Sequence, residues 1–224
     1  EKFVEEIRSY AINYFRKILS NLGWKPRKSD KHTDALLRTF TIAVLGKMND
    51  DSVTDEAIRK YQKFLKSPSS LSPDLIETIC SIAAWNGNSK TFAELKKLYT
   101  NAKTMEEKLR FLGAMCGFQD KKLLIKTLDF SQTAAVRSQN MQLPIMKIAG
   151  NPYGDKVLWS WLKKNWKKIN KKVGHGNPLF NRIVASITGV ADDSMEKEIK
   201  LFFKNNPTPG TERTQSQTLE RIRI

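Results

Sequence analysis

The spacing of apolar residues predicts helices along the whole chain. Apolar side chains recur at steps of three and four residues, which places them on one face of a helix. The first such series is Phe3, Ile7, Tyr10, Tyr14 and Ile18. Runs that alternate apolar and polar residues between turn signals, as strands require, are absent from the sequence. The pattern therefore predicts an all-α protein.

Turn-forming residues divide the periodic segments into about twelve helices. The predicted helices span residues 1–22, 33–47, 53–66, 72–86, 89–100, 104–116, 120–129, 135–149, 153–173, 177–190, 193–204 and 211–222. Short helices joined by short turns, in pairs of about 30 to 40 residues, favour an α-α superhelix of HEAT- or armadillo-like repeats over a four-helix bundle. No motif recurs at a fixed period in the sequence, so a compact helical domain remains the alternative to a superhelix. We expect residues 1–224 to form a single repeat domain with a concave, bowl-like surface.

Helix-capping patterns support several of these boundaries. Thr104 precedes Glu107 by three residues, and Asp193 precedes Glu196 in the same way. Both pairs match the capping box, in which each residue bonds the backbone amide of the other. Ser72, followed directly by a proline, predicts another helix start.

The helix predicted over 153–173 has an aromatic side and a cationic side. Its apolar residues share one face: Leu158, Trp161, Leu162, Trp166, Ile169 and Val173. Its lysines fall mostly elsewhere: Lys163, Lys164, Lys167, Lys168, Lys171 and Lys172. The spacing predicts that the tryptophans, with Trp24, anchor the core.

Basic residues are concentrated in the same region. The formal net charge is +16, and eight Lys or Arg but no Asp or Glu lie between Lys156 and Val190. Such a surface attracts nucleic acid, an acidic protein or the free carboxylate of a peptide. A charge run of this kind is also what a solvated helix face looks like.

Composition sets further bounds. The chain has 224 residues, of which 40% are hydrophobic and 28% charged, as in globular proteins. No apolar run approaches the roughly 20 residues that cross a bilayer, so we expect no membrane partner. The sequence opens at Glu1 inside a helical pattern, which predicts a fragment of a longer chain. Cys80 and Cys116 are expected to be small core residues in a reducing compartment, with a disulfide between them as the alternative.

The chain lacks the residues of a self-sufficient active site. A helical zinc hydrolase needs His-Glu-x-x-His and a further carboxylate, whereas this chain has only His32 and His175 in unrelated contexts. It also has no glycine-rich phosphate loop and no Gly-x-Ser-x-Gly elbow. We therefore expect no catalytic residue, metal site or cofactor within these 224 residues.

Three motifs carry a resemblance to a known family. They are Arg137-Ser138-Gln139-Asn140, Asn151-Pro152-Tyr153-Gly154 and Trp159-Ser160-Trp161-Leu162 with Asn165-Trp166. In this order they resemble the C-terminal helical domain of the zinc aminopeptidases of the aminopeptidase N family, which includes the endoplasmic reticulum aminopeptidases and the archaeal tricorn-interacting factors. The likeness continues in Leu22–Trp24, Ala35–Arg38, Glu107–Leu112 with Phe118, Asn181–Val184 and Ile199–Phe203.

The resemblance implies a function that this chain does not complete alone. In that family the domain is a bowl of HEAT-like repeats that closes over the active site and encloses the peptide. The zinc is expected in a catalytic domain N-terminal to this segment, which is one partner; the peptide substrate is the other. The resemblance also implies a basic inner surface that faces the peptide. A cytoplasmic location is expected from the absence of a membrane span and from the reducing compartment expected for the two cysteines.

Four residues are the candidates for peptide binding. Arg137 and Arg182 match motif arginines on or near the family's inner surface, and a guanidinium offers two parallel donors to a carboxylate. Gln139 and Asn140 add neutral hydrogen bonds; many relatives carry Asp at the position of Asn140. Alternatively, residues 137–139 cap a helix and fix a turn.

The rival function is a basic α-solenoid that binds nucleic acid or serves as a protein scaffold. The charge favours it, but tryptophans at helical spacing face inward and no base-reading repeat is visible. We therefore expect nucleic acid not to be a partner.

Overall fold

The computed structural model describes residues 2–174, 177–189 and 193–222. These residues form twelve α-helices and no strand. The helices are α1 (Lys2–Leu22), α2 (His32–Lys47), α3 (Asp51–Lys66), α4 (Pro73–Trp85), α5 (Ser89–Asn101), α6 (Met105–Ala114), α7 (Lys121–Gln132), α8 (Gln142–Ala149), α9 (Asp155–Val173), α10 (Pro178–Ser186), α11 (Glu196–Asn205) and α12 (Glu212–Ile222).

The helices stack in two layers. The even-numbered helices pack in succession, from α2 against α4 through to α10 against α12. The odd-numbered helices form the other layer, where α7 packs against α9. Ring contacts join its members: Tyr99 of α5 lies 5.1 Å from Phe130 of α7, and Trp159 of α9 lies 5.1 Å from Phe202 of α11. We call these the even layer and the odd layer. The predicted all-α superhelix is confirmed.

The core is a continuous cluster of side chains between the layers. Its C-terminal part is aromatic, because the ring of Trp166 lies 5.1 Å from that of Phe180 and 5.8 Å from that of Phe203. Trp159, Trp161 and Trp166 are 3%, 5% and 2% exposed, so they anchor the core as predicted. Trp24 is half-buried against the same cluster.

A buried arginine fixes the first turn between the layers. Arg38 of α2 is fully buried and donates from Nε to the Gly23 carbonyl at 2.9 Å and from Nη2 to the Leu22 carbonyl at 3.1 Å. Its guanidinium also pairs with the Asp30 carboxylate. Because these carbonyls end α1, the arginine of one helix holds the end of its neighbour.

Four predicted boundaries are wrong by three residues or more, and one of them is the end of the helix predicted over 120–129, which continues to Gln132. The helix predicted from 135 begins only at Gln142, after a 3₁₀ turn over Ser138–Asn140. A helix from 135 would place Pro144 in its interior, where the ring clashes with the carbonyl four residues earlier. The helix predicted over 177–190 ends at Ser186 in another 3₁₀ turn. The α-helix predicted from 193 begins at Glu196.

The three predicted helix caps have different outcomes. The Thr104 hydroxyl accepts from the Glu107 amide at 3.2 Å, while the Glu107 carboxylate accepts from the Thr104 amide at 3.1 Å, so this capping box is confirmed. Helix α4 begins after Ser72 as predicted, but the Ser72 side chain makes no capping bond. The predicted cap by the Asp193 side chain lies outside the described residues.

Candidate functional site

A groove of about 600 Å³ crosses the face of the even layer. It is lined by side chains from α2, α4, α6 and α8. Its apolar walls include Leu36 and Phe40, which lie one turn apart on α2 and are 58% and 57% exposed. Ile82 and Trp85 of α4 also line it. Large apolar side chains that face solvent within a groove are typical of binding surfaces.

An ion pair spans this groove across three helices. Glu77 of α4 pairs with Lys147 of α8, and α6 passes between them. A Cβ atom at Gly113 of α6 would lie 2.6 Å from Oε1 of Glu77 and 3.0 Å from Nζ of Lys147. Because Gly113 has no side chain, the ion pair can occupy the space beside α6.

The groove carries both signs of charge. Arg110, one turn before Gly113, lines it and donates from Nη2 to Oε1 of Glu106 at 2.6 Å. The charged side chains that line the groove are Lys47, Arg110, Lys147, Asp74 and Glu77, together with His32. Such a set offers hydrogen-bond donors and acceptors to an extended peptide backbone, as well as a cation to its terminal carboxylate.

The predicted ligand residues of the first motif precede α8. Arg137, Ser138 and Gln139 are exposed, and Nδ2 of the Asn140 side chain donates to the Met105 sulfur at 3.1 Å. The backbone of this segment forms the 3₁₀ turn, because the backbone N–H of Asn140 donates to the Arg137 carbonyl at 2.9 Å. Arg137 thus starts a turn while its guanidinium stays exposed.

The positive charge of Arg137 affects the pKa of a neighbouring tyrosine, Tyr99. Burial raises the pKa of the Tyr99 phenol, and the positive charge of Arg137 opposes that rise. The phenol itself donates to the Ala135 carbonyl at 2.9 Å.

Arg182 lies on α10 and is also exposed. Its neighbour Asn181 accepts from the Thr214 hydroxyl of α12 at 2.6 Å. Helix α10, which carries Arg182, packs on α8. The 3₁₀ turn that follows Arg137 also contacts α8, and α8 carries Lys147. Neither predicted arginine lines the groove with Lys147. The peptide-binding role of Arg137, Arg182, Gln139 and Asn140 stays a prediction.

The second motif is structural. Asn151 is buried, and its Nδ2 donates to the Cys116 and Phe118 carbonyls, each at 2.9 Å. Its Oδ1 accepts from the Tyr153 amide at 2.9 Å. Gly154 packs on the backbone of α8, where a Cβ atom would lie 2.0 Å from the Ile148 carbonyl oxygen. This motif ties α8, α9 and the segment before α7 together.

The lysine-rich helix belongs to the odd layer. Lys163 pairs with Glu198 of α11. The Lys172 ammonium donates to the carbonyls of Ser131, Thr133 and Val136 at 2.9–3.0 Å, which caps the C-terminal end of α7. Part of the charge run therefore has structural partners.

Comparison with known proteins decides the family. The family model of the ERAP1-like C-terminal domain matches residues 1–224. The chain belongs to this family.

Full-length relatives of this ERAP1-like C-terminal domain are aminopeptidases. The chain is 30% identical to Aminopeptidase M1-D of Oryza sativa subsp. japonica, over 98% of this chain and 25% of that protein. It is 26% identical to Aminopeptidase M1 of Arabidopsis thaliana, over 100% of this chain and 26% of that protein. It is also 26% identical to Aminopeptidase 2, mitochondrial, of Saccharomyces cerevisiae, over 97% of this chain and 24% of that protein. The chain spans about a quarter of the length of these curated relatives.

Other chemistry in this ERAP1-like domain is limited. Across the described residues, no three His, Cys, Asp or Glu side chains lie close enough to hold a metal ion. His175 lies outside the described residues. Cys80 and Cys116 are buried free thiols, as predicted, and burial raises the pKa of Cys116 to about 12. No described helix has the length and apolarity to cross a membrane.

Proposed function

We propose that this ERAP1-like domain encloses the peptide in a zinc metalloaminopeptidase and is not catalytic alone. The N-terminal catalytic domain of the same chain would supply the zinc and remove the N-terminal residue. Closure of the domain over the active site would exclude water from the reaction. The observation that carries this proposal is the groove of the even layer, with its exposed apolar walls and paired charges.

The groove is the surface we assign to the distal part of the peptide. Its residues come from four successive even-layer helices, which suits an extended ligand. The buried tryptophans argue against the rival nucleic-acid function, because they are not available to stack on bases.

The groove is tested by comparing long and short substrates in the parent enzyme. The variant Leu36→Asp/Phe40→Asp should raise KM for peptides of about ten residues several-fold, because it places two charges on an apolar wall. Turnover of a single aminoacyl chromogenic substrate, which lacks the distal residues assigned to the groove, should not change. The control Leu201→Asp replaces an equally exposed apolar residue, 58% exposed, on α11. Equal effects on long and short substrates would contradict the assignment.

The predicted arginines belong to the same proposal. Arg182, together with Arg137, Gln139 and Asn140, would bind the C-terminal carboxylate of a peptide that extends beyond the groove. Amidation of the peptide C-terminus should then weaken turnover, and Arg182→Ala should abolish the difference between free and amidated peptides. A difference that persists in Arg182→Ala would exclude Arg182 as the anchor.

The first helix is the surface we assign to the catalytic portion. Helix α1 exposes five large apolar side chains: Phe3, Val4, Ile7, Tyr10 and Tyr14, each 53–74% exposed. The terminal repeat of a solenoid normally has a polar outer face. The relatives are about four times as long as this chain, so they contain ample polypeptide to cover α1.

In the parent enzyme, Tyr10→Lys should lower the melting temperature by several degrees, whereas Leu201→Lys should not. An unchanged melting temperature in Tyr10→Lys would remove this contact from the proposal.

The cellular location belongs to the proposal as well. We propose a cytoplasmic enzyme. Microscopy of the tagged parent protein tests the location directly, since a mitochondrial signal would contradict it.

A further inference from the structure

A second groove lies between α7 and α9 of the odd layer and has a cavity volume of about 780 Å³. Lys121, Ile125 and Asp129 line it from α7, one turn apart. Val157, Trp161, Lys164 and Lys168 line it from α9. The even-layer groove shares none of these residues, so the two surfaces are distinct.

The two helices that form this odd-layer groove run parallel. Trp161 Nε1 of α9 donates to Oδ1 of Asp129 at 2.8 Å, and further along α9 Lys172 bonds the Ser131 and Thr133 carbonyls at the end of α7. Contacts therefore advance along both helices in the same direction. Lys121 lies at one end of the groove, and Lys168 lies toward the other.

The centre of the odd-layer groove is apolar. Ile125 is 38% exposed, while Trp161 is buried and forms part of the floor. Val157 completes this apolar strip. The carboxylate of Asp129 accepts from the Trp161 indole, so the one acidic side chain among the described lining residues has a structural partner.

The positive charge of the odd-layer groove is not balanced. Lys121, Lys164 and Lys168 are exposed, and none of them has an ion-pair partner among the described residues. Their neighbours differ, since Lys163 pairs with Glu198 and Lys172 bonds backbone carbonyls. Lys167 and Lys171 are also exposed without an ion pair in the described part of the chain but lie outside the groove, so three free ammonium groups, Lys121, Lys164 and Lys168, face it.

One further donor points to a ligand with acceptor oxygens. The Nε2 atom of Gln132, which lines the groove at the C-terminal end of α7, is buried and has no hydrogen-bond acceptor in the described part of the chain. An unpaired buried donor is costly, and a carboxylate bound at this end would satisfy it after a rotation of the Gln132 amide.

We propose that this odd-layer groove binds an acidic amphipathic helix of a partner protein. From Lys121 to Gln132 the groove follows eleven residues of α7, or about 16 Å, which corresponds to three turns of a bound helix. Apolar side chains on one stripe of that helix contact Ile125, Val157 and Trp161. Carboxylates at its two ends meet Lys121 on one side and Lys164 with Lys168 on the other. The Trp161 ring is buried in the floor, so the groove offers no aromatic face for a nucleic-acid base to stack on.

The probe is a fluorescein-labelled helical peptide of about 14 residues that carries a leucine stripe flanked by glutamates. Anisotropy titrations use the 224-residue chain at 0.15 M salt. Lys164→Gln/Lys168→Gln should weaken binding about tenfold. The matched control is Lys167→Gln/Lys171→Gln, which removes the same charge from exposed lysines of the same helix outside the groove. It should change the affinity less than twofold. Circular dichroism confirms that all variants keep their helix content.

The apolar strip has its own test. Ile125→Ser should weaken binding of the leucine-striped peptide several-fold and leave the weaker binding of poly-glutamate unchanged. An equal loss in both lysine double variants would overturn the proposal, because the general field of a +16 protein would then explain the binding. Failure of the striped peptide to bind at 0.15 M salt would also overturn it. So would a single-stranded oligonucleotide of equal charge that binds more tightly and depends on Lys164 and Lys168.

Discussion

Replacement of Gly154 by alanine tests the role assigned to the second motif. An alanine Cβ at this position would lie 2.0 Å from the Ile148 carbonyl oxygen and 2.8 Å from Cγ2 of the same residue. The oxygen belongs to the backbone of α8 and cannot rotate away, so the turn between α8 and α9 must shift. The φ of Gly154 is −89°, which alanine adopts without strain, so the expected effect comes from the close approach alone.

The expected loss of stability is large for a single methyl group. Overpacking costs about 1–3 kcal/mol, and contact with rigid backbone places this case near the top, at about 3 kcal/mol. For a chain of this size 1 kcal/mol corresponds to about 2–4 °C, so Gly154→Ala should lower Tm by about 6–12 °C. The assay is thermal unfolding followed by circular dichroism at 222 nm.

Gly150→Ala is the matched control in the same turn. The nearest atom to its Cβ would be the Lys147 carbonyl oxygen at 3.7 Å, which is an ordinary contact. Its φ is −91°, so alanine should change the free energy of unfolding by no more than about 1 kcal/mol. The reasoning is refuted if Gly154→Ala melts within 2 °C of the wild type, or if both variants lose the same stability.

Three further changes test contacts elsewhere. Asn151→Ala should lower the free energy of unfolding in urea by about 3 kcal/mol, because two buried carbonyls lose their donor; a loss below 1 kcal/mol would contradict this. Lys172→Met should cost about 2 kcal/mol, since the ammonium bonds three carbonyls, whereas the exposed Lys171→Met should stay within about 0.5 kcal/mol. Burial raises the pKa of Asp50, but the Val53 amide, the Ser52 hydroxyl and Arg16 outweigh it, so the pKa lies below its ordinary value. The stabilisation is then present above about pH 4 and lost as the pH falls through the folded-state pKa, so urea midpoints of the wild type and Asp50→Asn should differ at pH 7, and the difference should shrink as the pH falls below about 4.

Helix periodicity was sufficient to predict most of the fold. The predicted and observed helices agree within a few residues over most of the chain, because each helix buries one regular stripe in the core between the layers. The main disagreement lies at residues 135–141. There the apolar pattern continues through a 3₁₀ turn, and the position of Pro144 is the sequence signal that marks the true start of α8.

The groove of the even layer was beyond the reach of sequence patterns. Glu77 and Lys147 are 70 residues apart, and neither belongs to a recognisable motif. Gly113 is one glycine inside an ordinary helical pattern. Leu36 and Phe40 have the spacing of core residues, and only the packing of α2 on α4 shows that they remain exposed. Predicting such a site requires the order in which the helices stack, and the spacing of residues along the sequence does not provide that order.

The two layers also separate charges that the sequence presents as one run. Periodicity shows that the lysines of α9 avoid the apolar stripe, but not which layer holds the helix. The structure places α9 in the odd layer, where Lys163 and Lys172 stabilise contacts with α11 and α7. The even-layer groove takes its cations from α2, α6 and α8 instead, and both of its carboxylates come from α4. A high net charge therefore does not make every surface basic: the even-layer groove carries three Lys or Arg side chains with two carboxylates, while Lys121, Lys164 and Lys168 line the separate odd-layer groove.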